Sequence, residues 1–520
     1  MLISVVKDYR KYPFLRRAIR YNKGEDAKMT KEQVNNLSFE IKRPRIQLLT
    51  LDQISQIHSA SLEVLEKTGV NVLLPEAVNL LREGGADVTS ESRVRIPSHM
   101  VEEALRLAPR SITISDRNGK PAMFLEDNNS YYGTGTDTPF VIDSHSGERR
   151  PSKGNDVNKA ALISDYLPNI DFIGCMGGMS MNEVDPLLSD RHNFARMVFS
   201  TTKPIMFTSW SLAGLSDIYD MAVAVRGGAE NFRRSPFMLQ YAEPITPLQH
   251  PPESLEKLLF CAEKGIPLIY TSSPSMGSTA PVTLAGATVL SNAEFLSGLV
   301  IAQIKHEGAP IIYGGASSPM DMRSGKYIYI APEAKLSHIA LKEIASFYGL
   351  PNFSTGGCTD SKVFDQQAAI EASQSILLTG LTGSSLIHDV GYMESGFTAC
   401  LGLIVMADEI IDEVKHFFKG IAVNKETLAL GIIDKEGPGG TFLQVEHTLK
   451  HFKEIWYPKL INRDTHDKWV RDGSRSLGEV LNERVKWILD NHKAEPLPDE
   501  VKGKIEKILE VAGKSQSSAQ

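Results

Sequence analysis

The clearest pattern along the chain is a repeat of short apolar runs, each followed by a stretch in which apolar residues have helical spacing. Seven runs are found, at residues 172–176, 204–208, 237–241, 267–271, 310–314, 352–355 and 385–388. Their starts are about 30 to 45 residues apart, which is the length of one βα unit. Near-continuous apolar strands that alternate with helices indicate a parallel sheet covered on both faces.

Seven such units nearly complete a barrel, so the predicted fold class is α/β, a (β/α)₈ TIM barrel with an N-terminal helical cap and a C-terminal helical extension. The eighth strand is not marked by a comparable run. Residues 428–433 are the candidate, and the loop 434–440 would then join the active face. An open doubly wound sheet is the structural alternative.

The segments on either side of the repeat have their own patterns. Thr50 and Gln53 form a capping-box signature, two further short helices follow, and turn residues between 131 and 150 indicate a hairpin. We therefore predict three parts. Residues 1–155 form an N-terminal arm, helical cap and hairpin, residues 156–465 form the TIM-barrel catalytic domain, and residues 466–520 form C-terminal helices and a disordered tail.

Composition narrows the class of protein. Of 520 residues, 42% are hydrophobic and 23% charged, with a net charge of −7, so a large core is possible and a broad basic surface for nucleic acid is not expected. The four cysteines are far apart, which fits a reducing cytoplasm. Apolar runs are shorter than the roughly 18 residues of a membrane span. No membrane association is therefore expected, and homo-oligomerisation is, as for many metabolic barrels.

Catalytic groups of a TIM barrel come from the carboxyl ends of several strands. Reading those ends gives Met179, Asn182, Ser209, Trp210, Tyr241, Glu243, Tyr270, Ser272, Met276, Tyr313, Ser317, Asp321, Thr359, Asp360, His388, Asp389, Tyr392, Glu394 and Phe397. The set is rich in aromatic residues and methionine and poor in paired bases and nucleophiles. The sequence has no P-loop, H-E-x-x-H or G-x-S-x-G motif, and no spacing that supports a metal site.

Aromatic strand ends with a few carboxylates suit a cationic or methylated ligand. A quaternary ammonium group cannot donate a hydrogen bond and is held instead by ring faces and nearby negative charge. For Tyr241 and Tyr313 the alternative is packing in the core, and for His388 it is a hydrogen-bonded histidine of the barrel.

A set of ordered motifs gives the chain a family resemblance. The motifs are Asp143 with Gly147-Glu148-Arg149-Arg150-Pro151, Tyr313-Gly314 with Ser317-Ser318-Pro319-Met320, Gly357-x-Thr359-Asp360-Ser361-Lys362 with Asp365-x-Gln367, His388-x-x-Gly391-Tyr392-x-Glu394-Ser395-Gly396, and His447-Thr448-Leu449. Over residues 40 to 470 or so the chain resembles the trimethylamine methyltransferase family, in particular its members without pyrrolysine, which demethylate quaternary amines such as glycine betaine. The resemblance implies a barrel fold and methyl transfer to the Co(I) corrinoid of a separate partner protein, with no tightly bound cofactor.

One departure from the family pattern narrows the substrate. In the trimethylamine enzymes a pyrrolysine lies in the run that corresponds to Thr359–Lys362, at or within one residue of Asp360, where this sequence has an ordinary carboxylate. Trimethylamine is therefore not the expected substrate. Because a quaternary ammonium group already carries its charge, loss of a methyl group leaves a neutral tertiary amine and needs no covalent activation. The enzyme's task is then to orient the N–CH₃ bond and exclude water.

These considerations predict a corrinoid-protein-dependent methyltransferase that acts on a quaternary amine, with glycine betaine as the first candidate. The predicted catalytic residues are His388 and Asp360, and no metal ligands are predicted. The predicted substrate-binding residues are Tyr313, Trp210, Tyr241, Phe397, Asp321, Arg323, Glu243 and Gly357. Arg323 and the backbone N–H groups of Gly356 and Gly357 are candidate donors to the substrate carboxylate.

Three rival interpretations remain at this stage. Another betaine, such as proline betaine, carnitine or γ-butyrobetaine, keeps the reaction and changes the substrate. A binding or sensor protein would hold the quaternary amine without turnover. A metal-dependent barrel hydrolase or lyase is the third.

Overall fold

Eight parallel strands close into a barrel. The computed structural model describes residues 43–126, 129–144, 146–178 and 183–519. The barrel strands are β1 (Tyr131–Thr134), β2 (172–173), β3 (Ile205–Phe207), β4 (Met238–Ala242), β5 (Leu268–Ser272), β6 (Ile311–Gly315), β7 (Phe353–Thr355) and β8 (Leu386–Val390). Each pairs in parallel with the next, and β8 pairs with β1, which completes the ring. The TIM barrel is therefore confirmed, and the open sheet is excluded.

Eight helices surround the strands, one after each. They are α1 (Gly154–Tyr166), α2 (Ser189–Ser200), α3 (Leu212–Arg226), α4 (Pro252–Lys264), α5 (Leu284–Lys305), α6 (Pro332–Tyr348), α7 (Gln366–Thr382) and α8 (Leu401–Phe417). In the described part of the chain, α5 is the one helix long and apolar enough to span a membrane, and 72% of its apolar window is buried inside the protein. Its apolar character is therefore accounted for by the core.

The prediction of the eighth strand was wrong. Residues 428–433 do not form a strand, and Leu430–Glu436 is a helix. The missing strand is β1, which pairs Leu386 with Tyr131 and lies in the segment predicted as cap and hairpin, so the barrel begins before residue 156. Gly133 lies in β1 because the ring of Phe172 comes within 2.3 Å of the position a Cβ would take. The sequence of this strand therefore reflects close packing against Phe172 rather than an apolar run.

A hairpin formed by Ile112–Ser115 and Pro121–Leu125 closes the amino-terminal end of the barrel. The backbone N–H of Ser115 donates to the carbonyl of Pro236, just before β4. The apolar side chains of the hairpin pack against one inward-facing residue from each of seven strands. The cluster is Ile112, Ile114, Met123 and Leu125 with Phe172, Met206, Leu239, Ile269, Ile312, Phe353 and Leu386. Apolar side chains therefore fill the amino-terminal end of the barrel, and the carboxyl-terminal end remains available for a binding site.

The remaining elements flank the barrel. The cap contains the helices Leu51–Glu63, Val64–Thr68 (a π-helix), Pro75–Glu83 and Ser98–Leu107, and the strands Val70–Val72, Asp87–Val88 and Arg93–Arg95, which join Gln249–His250. The predicted capping box of Thr50 and Gln53 is present. Part of the predicted hairpin also forms, as Phe140–Ile142 with Arg149–Pro151, in a sheet with Tyr392–Met393 and Thr398–Cys400. Other short elements are Pro186–Leu188, Ala229–Arg234, Ser275–Met276 and Ser318–Pro319.

The C-terminal extension is helical, as predicted. Its elements are Glu446–His451, Phe452–Glu454, His466–Arg471, Leu477–Asn491 and Asp499–Ala519. The last helix continues through the Ser/Gln-rich end that was predicted to be disordered, and Glu510 pairs with Lys514 one turn later. By internal contacts, residues 419–444 group separately from the barrel unit, which contains residues 44–418 and 445–520.

Candidate active site

A cavity of about 430 Å³ lies at the carboxyl-terminal end of the barrel. Its described lining residues come from the carboxyl ends of six strands (β1 and β4 to β8), from the loops after them, and from the start of α6. They are Thr136, Tyr241, Glu243, Ser273, Ala316, Ser318, Tyr327, Tyr329, Ala334, His338, Phe353, Thr355, His388, Asp389, Tyr392 and Ser395. The cavity thus lies where the fold class predicts an active site.

Five aromatic rings give the cavity its character: Tyr241, Tyr327, Tyr329, Phe353 and Tyr392. Tyr241 lies 5.6 Å from Phe353, and Tyr327 and Tyr329 meet edge to face at 5.5 Å between ring centroids. The hydroxyl of Tyr392 is fixed because it donates to the carbonyl of Thr136 and accepts from the backbone N–H of the same residue. Such rings present faces to a ligand and lose little conformational entropy when it binds.

Strand periodicity places the β4 residues. Leu239 packs inside the barrel, and Tyr241 and Glu243 follow at intervals of two, so all three lie on the inner face. The hydroxyls of Tyr241 and Ser273 both donate to Oε1 of Glu243, the latter at 3.2 Å. Loss of solvent contact inside the barrel raises the pKa of the Glu243 carboxyl, and these hydroxyls partly oppose the rise.

A bulge in β8 brings two consecutive residues into the cavity. Between Ile387 and Val390 the register with β1 shifts, and Asp389 has a φ of 85°, so both His388 and Asp389 line the site. A regular strand would send one of them outward. Oδ1 of Asp389 accepts from Nδ1 of His388, which fixes the imidazole ring. Among the described residues, His388 Nε2 has no hydrogen-bond partner, although the residue is only 6% exposed.

The structure divides the predicted site residues into three groups. Tyr241, Glu243 and His388 line the cavity together. Tyr313 does not, because it lies on the outer face of β6, where its hydroxyl donates to Oδ1 of Asn292 at 3.0 Å and its ring contacts Phe295 at 4.3 Å. For Tyr313 the core-packing alternative is the one the structure shows.

Asp360 is close to the site but does not line the cavity. Its carboxylate accepts from the backbone N–H groups of Tyr329 and Ile330 at 3.3 and 3.2 Å, and from the hydroxyl of Ser395 at 2.6 Å. Because Tyr329 and Ser395 both line the cavity, Asp360 joins two of its walls. Asp360 therefore holds residues that contact the cavity.

The glycines predicted as carboxylate donors are also engaged elsewhere. The N–H of Gly356 donates to the carbonyl of His388 at 2.8 Å, and that of Gly357 donates to the hydroxyl of Ser375 at 2.9 Å. Gly357 has a φ of 81°, and a Cβ there would come within 2.9 Å of Val390. Its role is to let β7 and β8 turn closely past each other.

Trp210, Phe397, Asp321 and Arg323 lie in the loops after the strands and outside the cavity lining. Asp321 closes a turn, accepting from the backbone N–H of Arg323 at 3.0 Å and the hydroxyl of Ser324 at 2.7 Å. Among the described residues, the loops after β2 to β8 each expose one large apolar side chain. These residues, named here the apolar rim, are Leu187, Trp210, Ile245, Val282, Met322, Val363 and Phe397.

Several lining residues were not predicted. Tyr327 and Tyr329 lie well beyond the end of β6, and His338 lies in the second turn of α6. The alternation of Tyr327 and Tyr329 was the available signal, since both rings face one side of an extended segment. Met179 and Asn182 lie outside the described residues. In the described part of the chain, no group of three or more His, Cys, Asp or Glu residues could hold a metal ion.

Comparison with known proteins places this site in a family. Residues 16–514 match the family model described as trimethylamine methyltransferase (MTTB). The chain is 30% identical over 460 residues to the trimethylamine methyltransferase MttB of Desulfitobacterium hafniense (strain DSM 10664 / DCB-2), covering 88% of this chain and 92% of the relative. It is also 30% identical over 479 residues to the glycine betaine methyltransferase of D. hafniense (strain Y51), covering 91% and 98%.

A search of solved structures also finds a methyltransferase. The monomethylamine methyltransferase (MtmB) of Methanosarcina barkeri aligns over 94% of this chain and 91% of its own, with a TM-score of 0.47 and 11% identity. The sequence relatives are named methyltransferases, and the present protein is a methyltransferase on a TIM barrel. The chain belongs to the trimethylamine methyltransferase family.

Proposed function

We propose that this protein transfers a methyl group from a quaternary amine, glycine betaine in the first instance, to the Co(I) corrinoid of a separate partner protein. The N–CH₃ bond breaks and its electron pair stays on nitrogen, which leaves dimethylglycine as a neutral-nitrogen product. The new bond to the methyl carbon uses the electron pair of Co(I), which belongs to the methyl acceptor. No proton is needed at any step.

The observation that carries the proposal is the aromatic cavity with Glu243 at its wall. Rings attract a quaternary ammonium group by cation–π interaction, worth about 0.5 to 2 kcal/mol for each well-placed ring. A carboxylate adds a Coulombic attraction that does not require a donated hydrogen bond. The cavity is also of the size of small-ligand sites, which begin at about 300 Å³.

The residues of this chain then act by binding and orientation. Tyr241, Tyr327 and Tyr329 surround the methylated nitrogen, and Glu243 offsets its charge. His388, held by Asp389, orients the substrate from the β8 side, and Asp360 fixes Tyr329 and Ser395. Such positioning, together with removal of water from the reacting groups, lowers the activation free energy of methyl transfer.

The apolar rim supports a protein partner at the mouth of the same cavity. Exposed apolar groups mark interaction surfaces, and aromatic residues are enriched at the centre of interfaces. The indole N–H of Trp210 donates to the hydroxyl of Ser189 at 2.9 Å, which orients an otherwise exposed ring. In this proposal the rim receives the corrinoid protein, and the methyl group faces outward toward it.

The test is a single-turnover reaction of the purified protein with a Co(I)-reduced corrinoid protein and glycine betaine, followed by visible spectroscopy and product analysis. A methyl-Co(III) spectrum with one equivalent of dimethylglycine is expected. A response to γ-butyrobetaine or carnitine alone would keep the reaction and replace the substrate. Tight binding of the amine without any methyl transfer, to a partner shown to accept methyl groups from another enzyme, would favour a binding protein instead.

A further inference from the structure

The walls of the cavity differ in the hydrogen-bonding groups that they present. The wall formed by β4 carries the carboxylate of Glu243 beside Tyr241. The wall formed by β7, β8 and α6 carries two imidazoles, His388 and His338, with Thr355 among them, and the carboxylate of Asp389, which accepts from His388. No lysine or arginine is among the described residues that line the cavity. A ligand carboxylate therefore has hydroxyls and imidazoles as direct donors.

The second wall is continuous. Thr355 of β7 and His388 of β8 are paired across neighbouring strands. Oγ1 of Thr355 in turn lies 3.4 Å from Nδ1 of His338. Burial, together with the nearby charge of Lys335, lowers the pKa of His338, so the ring is neutral and carries one N–H. These side chains can donate hydrogen bonds to an anionic group.

Lys335 lies one helical turn before His338, behind this wall. It is only 7% exposed, and among the described residues its Nζ has no hydrogen-bond partner. A buried ammonium group without a partner is unfavourable, because it loses its hydration and forms no hydrogen bond or ion pair that compensates for the loss. Such a group either destabilises the fold or interacts with an anionic group of a ligand when the ligand binds.

Other lysines of the barrel that are buried or half-buried do have partners. Lys203 donates to three backbone carbonyls at the end of α1, Lys257 donates to the carbonyl of Ser209, and Lys342 donates to the hydroxyl of Ser346. Lys342 is on the same helix as Lys335 and is 5% exposed. The unpaired state of Lys335 is thus a local feature of the wall that contains His338.

We infer that the wall of β7, β8 and α6 binds a carboxylate of the substrate, with His338 donating a hydrogen bond and Lys335 supplying the positive charge. The inference rests on the proposed function and narrows it to betaines. Quaternary amines without a carboxylate, such as choline or tetramethylammonium, meet only the rings and Glu243. The ammonium group of a betaine would face the rings and Glu243, and its carboxylate would face His338 and Lys335.

Calorimetric binding to the purified protein tests this without turnover. Wild type should bind glycine betaine at least about 10-fold more tightly than choline or tetramethylammonium, since hydrogen bonds to a charged group are worth roughly 10- to 100-fold in affinity. Lys335→Met should remove most of this preference and leave binding of tetramethylammonium within about 2-fold. Lys335→Arg should retain part of it, and Lys342→Met is the matched control, expected to change neither.

The methyl ester of glycine betaine provides a measurement on the wild type alone. The ester keeps the ammonium group and removes the negative charge, so about 10-fold weaker binding is expected. Equal binding of acid, ester and tetramethylammonium would overturn this inference and leave the cation site of the proposed function intact. Failure to bind any quaternary amine would instead contradict the proposed function itself. A parallel loss for both ligands in Lys335→Met would assign Lys335 a structural role.

Discussion

The cavity and the apolar rim belong to the same end of one barrel, yet they are built in opposite ways. Side chains of the cavity are tied to one another: Glu243 to Tyr241 and Ser273, and His388 to Asp389. Those of the rim are large, apolar and exposed, and the loops after β2 to β8 each contribute one of them from the residues that the structure describes. A small charged ligand requires fixed geometry, whereas a protein surface requires apolar area. If the cavity binds the substrate and the rim binds the partner, as proposed, the two kinds of recognition should be separable by mutation.

The largest effect is expected from His388→Ala. Loss of the ring removes the group held by Asp389 and leaves a buried carboxylate without its partner. Misplacement of a substrate by about 1 Å can cost roughly 100-fold in rate, and we expect kcat to fall by at least that factor. Single-turnover rates at saturating corrinoid protein measure it. The KM for the corrinoid protein should remain within about 2-fold of wild type, and a change there would contradict the separation of cavity and rim.

Glu243→Gln should reduce affinity for the quaternary amine by about 10-fold, the equivalent of roughly 1.4 kcal/mol. The raised pKa of Glu243 gives this residue a pH signature. An acid whose pKa is raised stays protonated to higher pH, so its charge, and with it the attraction for a cation, appears as the pH rises. Wild-type affinity should therefore increase with pH above about 4.5, and this dependence should be lost in Glu243→Gln.

Calorimetric titration across the pH range measures that dependence. Tyr241→Phe is a matched control, because it keeps the ring and the carboxylate and removes only the hydroxyl that donates to Glu243. The hydroxyl of Tyr241 lowers the pKa of Glu243 in the wild type. Since loss of a donor to the carboxylate destabilises its charged form, a shift of the pH dependence to higher pH is the expected result, and a shift to lower pH would contradict the assigned bond.

On the rim, Trp210→Ala combined with Phe397→Ala should raise the KM for the corrinoid protein by about 10-fold. Both side chains are more than half exposed, so little stability is lost. Affinity for glycine betaine, measured without the partner, should not change. Weaker amine binding in this variant would instead support the prediction from the sequence that Trp210 and Phe397 bind the substrate.

The sequence predicted the barrel from seven strands, and three of the residues predicted from strand ends, Tyr241, Glu243 and His388, line the cavity. It failed for β1, whose four residues lack an apolar run and are selected by packing against Phe172. It also failed for Tyr313. Barrel strands are buried on both faces, so they lose the alternation from which inward and outward positions are read. His338 was missed because a helix position becomes part of a site only through the tertiary packing of α6.

The smallest effect is expected from Tyr313→Phe, and it separates two tyrosines that the sequence placed together. Tyr313 faces the helices, and its hydroxyl donates to Asn292, whose amide in turn donates to Ser61 and Tyr348. Removal of the hydroxyl leaves Oδ1 of Asn292 without this donor, so the free energy of unfolding should fall by about 1 kcal/mol. Affinity for glycine betaine and kcat should both stay at the wild-type level, as measured by calorimetry and single turnover. If Tyr313→Phe instead weakened amine binding with unchanged stability, the outward orientation of this ring would be wrong, and the cavity would extend across β6 toward α5.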